Sequence, residues 1–319
     1  MHSHTRPAPA GVVIRPLQAA DLDRAVDLLV LTTGEHRRFR LVERLTNGAV
    51  TGPHHAVVAE RGGLVVGAAH LTAEPTFPGT VAAHVAVDAF HRGEGIGTVL
   101  AAEVEWAAAR LGRGQVLTSA LRDDLPDGRR FAERHGMRVT AHSLGWRYDL
   151  TGPGADGAQL AARAGASAAA AGIRVRRGDL VCEEAEIMLC LGRSMTGLPL
   201  PGEQGQHVDL AQAWRTIPRD GVVLLAEKDG LGAPVAMSII SPLRKGTDWY
   251  TVYTGVVEAH RGRGIAKALK AADLAYARAA GAAGLTTHND VTNRAILRTN
   301  GRFGMRPSVG YWNLTRSAH

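Results

Sequence analysis

The sequence predicts an α/β fold built twice in tandem, and three observations carry that prediction. The run HRGEGIG at 91–97 returns as HRGRGIA at 260–266, each time between a strand-like stretch and a helix-like one. The same offset lays Val87, Leu100 and Gly112 over Val256, Leu269 and Gly281, as a duplicated unit requires. A chain of 319 residues is also long enough for two domains with a core each.

Each element follows from local pattern. VVIRPL reads as a first strand, and residues 20–47 as two helices. HAVVAE and LVVGAAHL form a strand pair across Arg61-Gly62-Gly63. TVAAHVAV (80–87) is a fourth strand. A helix over 95–111 places Ile96, Val99, Leu100, Val104 and Ala107 at helical spacing. VLTSA is a fifth strand and 126–135 a further helix. In the second half IRVR, GVVLLAEKDG, PVAMSIIS, WYTVYTGV and GLTTH supply strands, and 264–280 and 291–302 supply helices. Between the copies, 151–170 is rich in Gly and Ala and poor in charge, so it reads as a linker, helical in part. The domains are therefore 11–150 and 171–319.

Composition narrows the class. No apolar run approaches the roughly 20 residues of a membrane helix, and the opening MHSHTRPAPAG is not a secretion signal. A cytoplasmic protein is expected. Cys182 and Cys190, in a helix-like segment, would lie about 12 Å apart, too far for a disulfide, and are expected to be buried thiols in a reducing compartment. The net charge of +7 comes almost entirely from arginine and is scattered, with no basic run interleaved with aromatics. Neither a nucleic-acid nor a membrane partner is expected, only a modest pull on an anionic ligand.

A glycine turn that opens a helix presents unpartnered backbone N–H groups at the positive end of the helix dipole, which makes an anion site. Glycine lets the backbone approach a pyrophosphate closely, and Arg92 and Arg261 add forked donors. Neither copy has the spacing of a P-loop or a complete dinucleotide fingerprint. A capping turn without ligand would explain one copy alone.

VDAFHRGEGIG (87–97) and VVEAHRGRGIA (256–266) both satisfy Val-x-x-x-x-Arg-x-x-Gly-x-Gly/Ala before an amphipathic helix. In this the chain resembles the GNAT superfamily, the GCN5-related N-acetyltransferases. Tandem members are known, mycothiol synthase among them. The resemblance covers nearly the whole chain and implies two tandem GNAT-like domains, each a mixed, mostly antiparallel sheet flanked by helices. It implies acetyl-CoA as cosubstrate, held through Arg92, Gly93, Glu94, Gly95, Ile96 and Gly97, and through Arg261, Gly262, Arg263, Gly264, Ile265 and Ala266. The strand ends at Val87 and Val256 would pair with the pantetheine arm.

The family often draws its general acid from a tyrosine in the last helix. The equivalent positions, in FAERHGM and NGRFGM, are Ala132 and Asn300. The second half offers more polar equipment: Asn289, Asn293 and Asn300 as a ligand surface, with Tyr253, Tyr311 and His288 as catalytic candidates. His84, equivalent to Tyr253, is a candidate proton relay near neutral pH. In the first half, Ala120 and Asp124 stand where the second has Asn289 and Asn293. Chemistry is accordingly expected in the second half. The acceptor loops would include residues 197–210 and the Glu183, Glu184 and Glu186 cluster. The leading expectation is N-acetylation of a primary amine of a small molecule, an antibiotic or a metabolite, by a monomer or homodimer from a G+C-rich bacterium. The alternatives are a coenzyme-binding sensor or scaffold without turnover and a protein N-acetyltransferase.

Overall fold

A computed structural model describes residues 7–111, 115–152, 155–196, 208–228 and 230–317. The first half runs β1 (Val12–Pro16), α1 (Leu22–Thr33), α2 (Arg38–Thr51), β2 (His54–Arg61), β3 (Leu64–Ala73) and β4 (Thr80–Val87). It continues α3 (Ile96–Ala108), β5 (Val116–Arg122), α4 (Pro126–Arg134) and β6 (Arg138–Asp149). The β2–β3 hairpin turns on Gly62 and Gly63, both at positive φ (57° and 79°), which the tight turn demands. In α3 the apolar stripe buries Ile96, Val99, Leu100 and Val104 as its spacing predicts.

The second half runs α5 (Gly157–Ala170), β7 (Arg174–Gly178), α6 (Glu184–Met195), α7 (Leu210–Arg215), β8 (Val222–Glu227) and β9 (Ala236–Pro242). It ends β10 (Asp248–Val256), α8 (Ile265–Ala279), β11 (Gly284–Asp290), α9 (Arg294–Phe303) and β12 (Arg306–Ser317). The expected linker is thus largely helix. Asp156 caps α5 through a 2.9 Å bond to the Gln159 amide, and Leu160 is buried in one core with Leu274 and Ala277 of α8. Cys182 is exposed rather than buried, Cys190 is buried, and both are free thiols.

The chain divides into two compact units whose ends do not follow the repeat. One comprises residues 1–143, 201–209 and 309–319, the other 144–200 and 210–308. In the first, β1, β2, β3 and β4 pair antiparallel in that order, β4 pairs β5 in parallel, and the chain's last strand, β12, pairs antiparallel with β5. In the second, β7 to β10 pair antiparallel, β10 pairs β11 in parallel, and β6 lies beside β11. Each unit is therefore a mixed, mostly antiparallel sheet flanked by helices, closed by a strand from the other half of the sequence. In the first unit α3 covers one face of the sheet, and α1 and α2 form a separate core on the other.

Candidate active site

Both glycine turns form helix N-termini. Gly93 and Gly95 have φ of 82° and 86°, Gly262 and Gly264 of 77° and 79°. Gly95 and Gly264 are the N-cap residues of α3 and α8 in the left-handed conformation, and neither has a side chain to cap the amides that follow. A Cβ at Gly93, Gly262 or Gly264 would meet nothing within 4 Å. The dihedral requires glycine; a Cβ at Gly95 would meet Pro9 Cγ at 3.7 Å, an ordinary contact, and the N-terminal amides of each helix suit an anion.

The two arginines shape the turns instead of reaching outward. Arg92 Nε donates to Val87 O at 3.1 Å and Arg261 Nε to Val256 O at 3.0 Å, so each guanidinium ties the turn to the end of its strand. Arg261 also donates to Ser194 O and Thr196 O at the end of α6. Glu94 is paired with Arg61 at 2.5 Å, which holds its carboxyl below the usual range; its copy, Arg263, is exposed.

Beyond the turn the parting of the parallel strands is common to both units: β10 and β11 are in register only over Asp248–Tyr250 and 284–286, and in the first unit β4 and β5 only over Thr80–Ala82 and 116–118 before they part. At the parting in the first unit lies a cleft of about 720 Å³, lined by Val85, Val87, Gly95, Gly97, Ala101, Val104, Ser119, Phe131 and Leu314. Its walls are mostly apolar and its rim is the glycine turn. An extended, uncharged arm with an anionic head fits that combination.

In the second unit the same repeat offset puts Lys270 and Asp273 at the positions of Ala101 and Val104. Both are buried on α8. Lys270 Nζ lies 3.5 Å from Thr251 Oγ1, and Asp273 accepts from Ser238 Oγ at 2.8 Å. Burial pushes the Asp273 carboxyl up to about 6 and lowers the Lys270 ammonium. Two buried ionisable groups stand where the first unit has cleft wall.

The sequence candidates are dispersed. Tyr253 on β10 shares a 2.9 Å hydrogen bond with Ser194 Oγ, and burial pushes its phenol up to about 12. His288 Nδ1 lies 3.2 Å from Tyr250 Oη on the neighbouring strand. Tyr311 belongs to the first unit, not the second: its hydroxyl lies 3.1 Å from His36 Nδ1. A Cβ on Gly34 would sit 2.0 Å from that hydroxyl, so glycine is needed there. Asn293 Oδ1 caps α9 through the Ile296 amide at 3.3 Å, and buried Asn300 donates to Asn289 at 2.7 Å. Glu183 and Glu186 face Arg176 at 2.6 and 3.8 Å. Residues 197–207 of the expected acceptor loop, and the repeat residue Gly112, lie outside the described residues.

His84 does line the cleft. Its Nε2 accepts from the Ala120 amide at 3.3 Å across the strand gap, and its Nδ1 lies 3.1 Å from His70 Nε2. Burial holds its pKa well below the ordinary value, so it is neutral rather than poised near neutral pH.

A helix N-terminus opened by a glycine turn, beside a parallel strand pair that parts, occurs twice in the chain. The chain belongs to the acetyltransferase (GNAT) family, whose profile matches residues 22–137 and 194–305. The family's cosubstrate is an acyl-CoA. Similar solved structures include a GCN5-related N-acetyltransferase from Sphaerobacter thermophilus, at 16% identity and TM-score 0.68 over 98% of both chains. A tandem GNAT protein from the clavulanic acid biosynthesis pathway is 21% identical, with TM-score 0.67 over 97% of this chain and 99% of its own. A fungal glucosamine N-acetyltransferase region shares 15% identity and TM-score 0.65 over 97% of this chain and 38% of its own. No curated protein matches the sequence.

Proposed function

We propose that the chain is an acetyl-CoA-dependent N-acetyltransferase acting on a primary amine of a small molecule, with the coenzyme taken into the first unit. One contrast carries the choice of unit: among the α3 positions that line the cleft are Ala101 and Val104, and their copies on α8 are buried Lys270 and Asp273. Lys270 and Asp273 are already buried against Thr251 and Ser238, so these positions offer no small apolar wall to an arm. The second unit is accordingly read as a framework. The coenzyme supplies the acyl group as a thioester. The α3 amides face the pyrophosphate, and the parted strands offer backbone groups to the arm.

Isothermal titration with acetyl-CoA should give one site per chain. Gly95→Val and Gly264→Val force the same left-handed conformation on a β-branched residue, at about 1–3 kcal/mol each, so their stability costs match. Gly95→Val should abolish binding and transfer to an amine panel, whereas Gly264→Val should keep both. Binding that survives Gly95→Val and disappears in folded Gly264→Val would put the coenzyme in the second unit.

A further inference from the structure

The two units part their parallel strands by different means. In the second, β10 shifts register against β9 between Thr251 and Tyr253, a bulge that bends the strand. In the first, β4 keeps an unbroken register with β3 from Val81 to Val87, so no bulge turns it away from β5. The amides of β5 show what does. Val116 N donates to Gly79 O at 2.9 Å, and in a parallel ladder every second amide repeats that step. Thr118, two residues on, is still within the paired stretch. Ala120 comes next, and by the same offset its amide would reach Ala83 O. It donates instead to His84 Nε2 at 3.3 Å.

A short chain of hydrogen bonds fixes that ring. An amide can only donate, so His84 Nε2 accepts and the neutral ring carries its proton on Nδ1, 3.1 Å from His70 Nε2. His70 in turn carries its proton on Nδ1, 3.2 Å from Thr72 Oγ1. All three side chains are buried. Burial first, then the charge of Arg44 on α2, keeps both imidazoles neutral; His54 adds to this at His70, and Arg37 at His84. Glu74 is ion-paired with Arg44.

We propose that His84 is the wedge that keeps β4 and β5 apart: by taking the Ala120 amide that a continued ladder would give to Ala83 O, it reserves the β4 edge for the coenzyme's extended arm. This rests on the first unit being the one that binds coenzyme. Ala83, His84, Val85, Ser119 and Ala120, on either side of the parting, all line the cleft. Closing the ladder would return the amide to Ala83 O but leave a buried imidazole nitrogen without a donor, a loss of the same kind as the bond gained. The slot is therefore held open before coenzyme arrives, which spares binding the cost of opening it. By strand alternation Ala83, Val85 and Val87 turn the same edge to the gap, and at Val87 O that edge is met by Arg92 Nε. His84 and Arg92 thus bracket the open stretch of β4. His84 acts through the backbone of the slot and is a positioning residue; His70 and Thr72 hold its tautomer. Its repeat equivalent, Tyr253, bonds Ser194 instead, in the unit where a bulge bends the strand.

The state of the ring can be read without a variant. Nitrogen-15 spectra should show His84 and His70 both protonated on Nδ1 and neither titrating between about pH 5 and 9, against an ordinary imidazole pKa near 6.5. An Nε2-protonated His84, or its titration near neutrality, overturns the wedge. The second test is binding. His84→Leu removes the acceptor and lets the Ala120 amide return to Ala83 O, so the Kd for acetyl-CoA should rise about 10-fold, the worth of one hydrogen bond set against binding. The loss should fall on the KM for acetyl-CoA, with kcat at saturation changing far less. His84→Gln, whose side-chain carbonyl can accept the same amide, should bring the Kd back to within about threefold of the parent. A His84→Gln protein as weak as His84→Leu overturns the wedge, because the accepted amide would then not be what matters. If Gly95→Val abolishes binding but folded His84→Leu binds acetyl-CoA like the parent, the wedge is wrong and the coenzyme assignment stands. If binding survives Gly95→Val, the coenzyme assignment fails and this role of His84 fails with it.

Discussion

Lys270 and Asp273 are buried ionisable groups at positions that the first unit fills with Ala101 and Val104. Taking charge out of water is costly, and opposite charges offset that cost only while both are present. Lys270→Met removes the opposite charge that favours the ionised Asp273 carboxyl and should destabilise the chain, whereas Lys270→Met with Asp273→Leu should recover part of the loss if the two groups are coupled. Urea melts of the two variants decide this, and equal losses would show that the pair is not coupled. His70 makes an acid-side prediction. Its folded pKa is pushed down to about 3 by burial, against about 6.5 when unfolded. Between those values the unfolded chain binds the extra proton, so stability falls as pH falls, by about 1.4 kcal/mol per pH unit. His70→Gln should flatten that limb in chemical denaturation between pH 6 and 4. Asp273 has the opposite sign over about pH 4–6, because its folded pKa is raised, but it is common to both proteins and drops out of the difference. An unchanged slope would mean that His70 is not buried neutral.

At the level of elements, capping and periodicity were legible and sheet closure was not. The expected helix over 95–111 is α3 at Ile96–Ala108, because its apolar spacing and its glycine N-cap agree. The last helix has Asn293 as its N-cap, its side chain accepting from the Ile296 amide. Asn293→Ala should cost about 1 kcal/mol and leave acetyl-CoA affinity unchanged; a large loss of affinity in a stable variant would return Asn293 to the ligand surface. The long strands β6 and β12 carried little signal. Their mixed, half-buried patterns alternate poorly, and Gly145 and Gly310 interrupt them. The Gly/Ala composition of 157–170 suggested a linker because it lacks charge, yet small residues are what let α5 pack closely on α8. The contrast between Ala101 and Lys270 was present in the sequence at the repeat offset. What was missing was the knowledge that this helix face lines the cleft.

The whole molecule has a property that the repeat alone conceals. Residues 309–317 complete the first unit's sheet against β5, and residues from Leu144 onward complete the second beside β11. No local signal could reveal this, since either closing strand has the length and composition to close either sheet. It also places Tyr311 with His36 in the first unit, and Leu314 and Arg316 on the wall of the cleft. Arg316 further holds the end of α4 through the His135 carbonyl at 2.7 Å. Cutting the chain at the boundaries the repeat suggests, into 1–150 and 151–319, therefore leaves the first fragment without its β5 neighbour and part of its cleft. It leaves the second without the strand beside β11. Each fragment alone should show an unpaired edge, a lowered or absent melting transition and no acetyl-CoA binding, because an exposed strand edge favours self-association over a closed core. Coexpressed, the fragments should assemble one to one and regain binding. Fragment 1–150 folding alone, with parental coenzyme affinity, would show that the closing strand is dispensable and that the unit boundary lies where the repeat puts it.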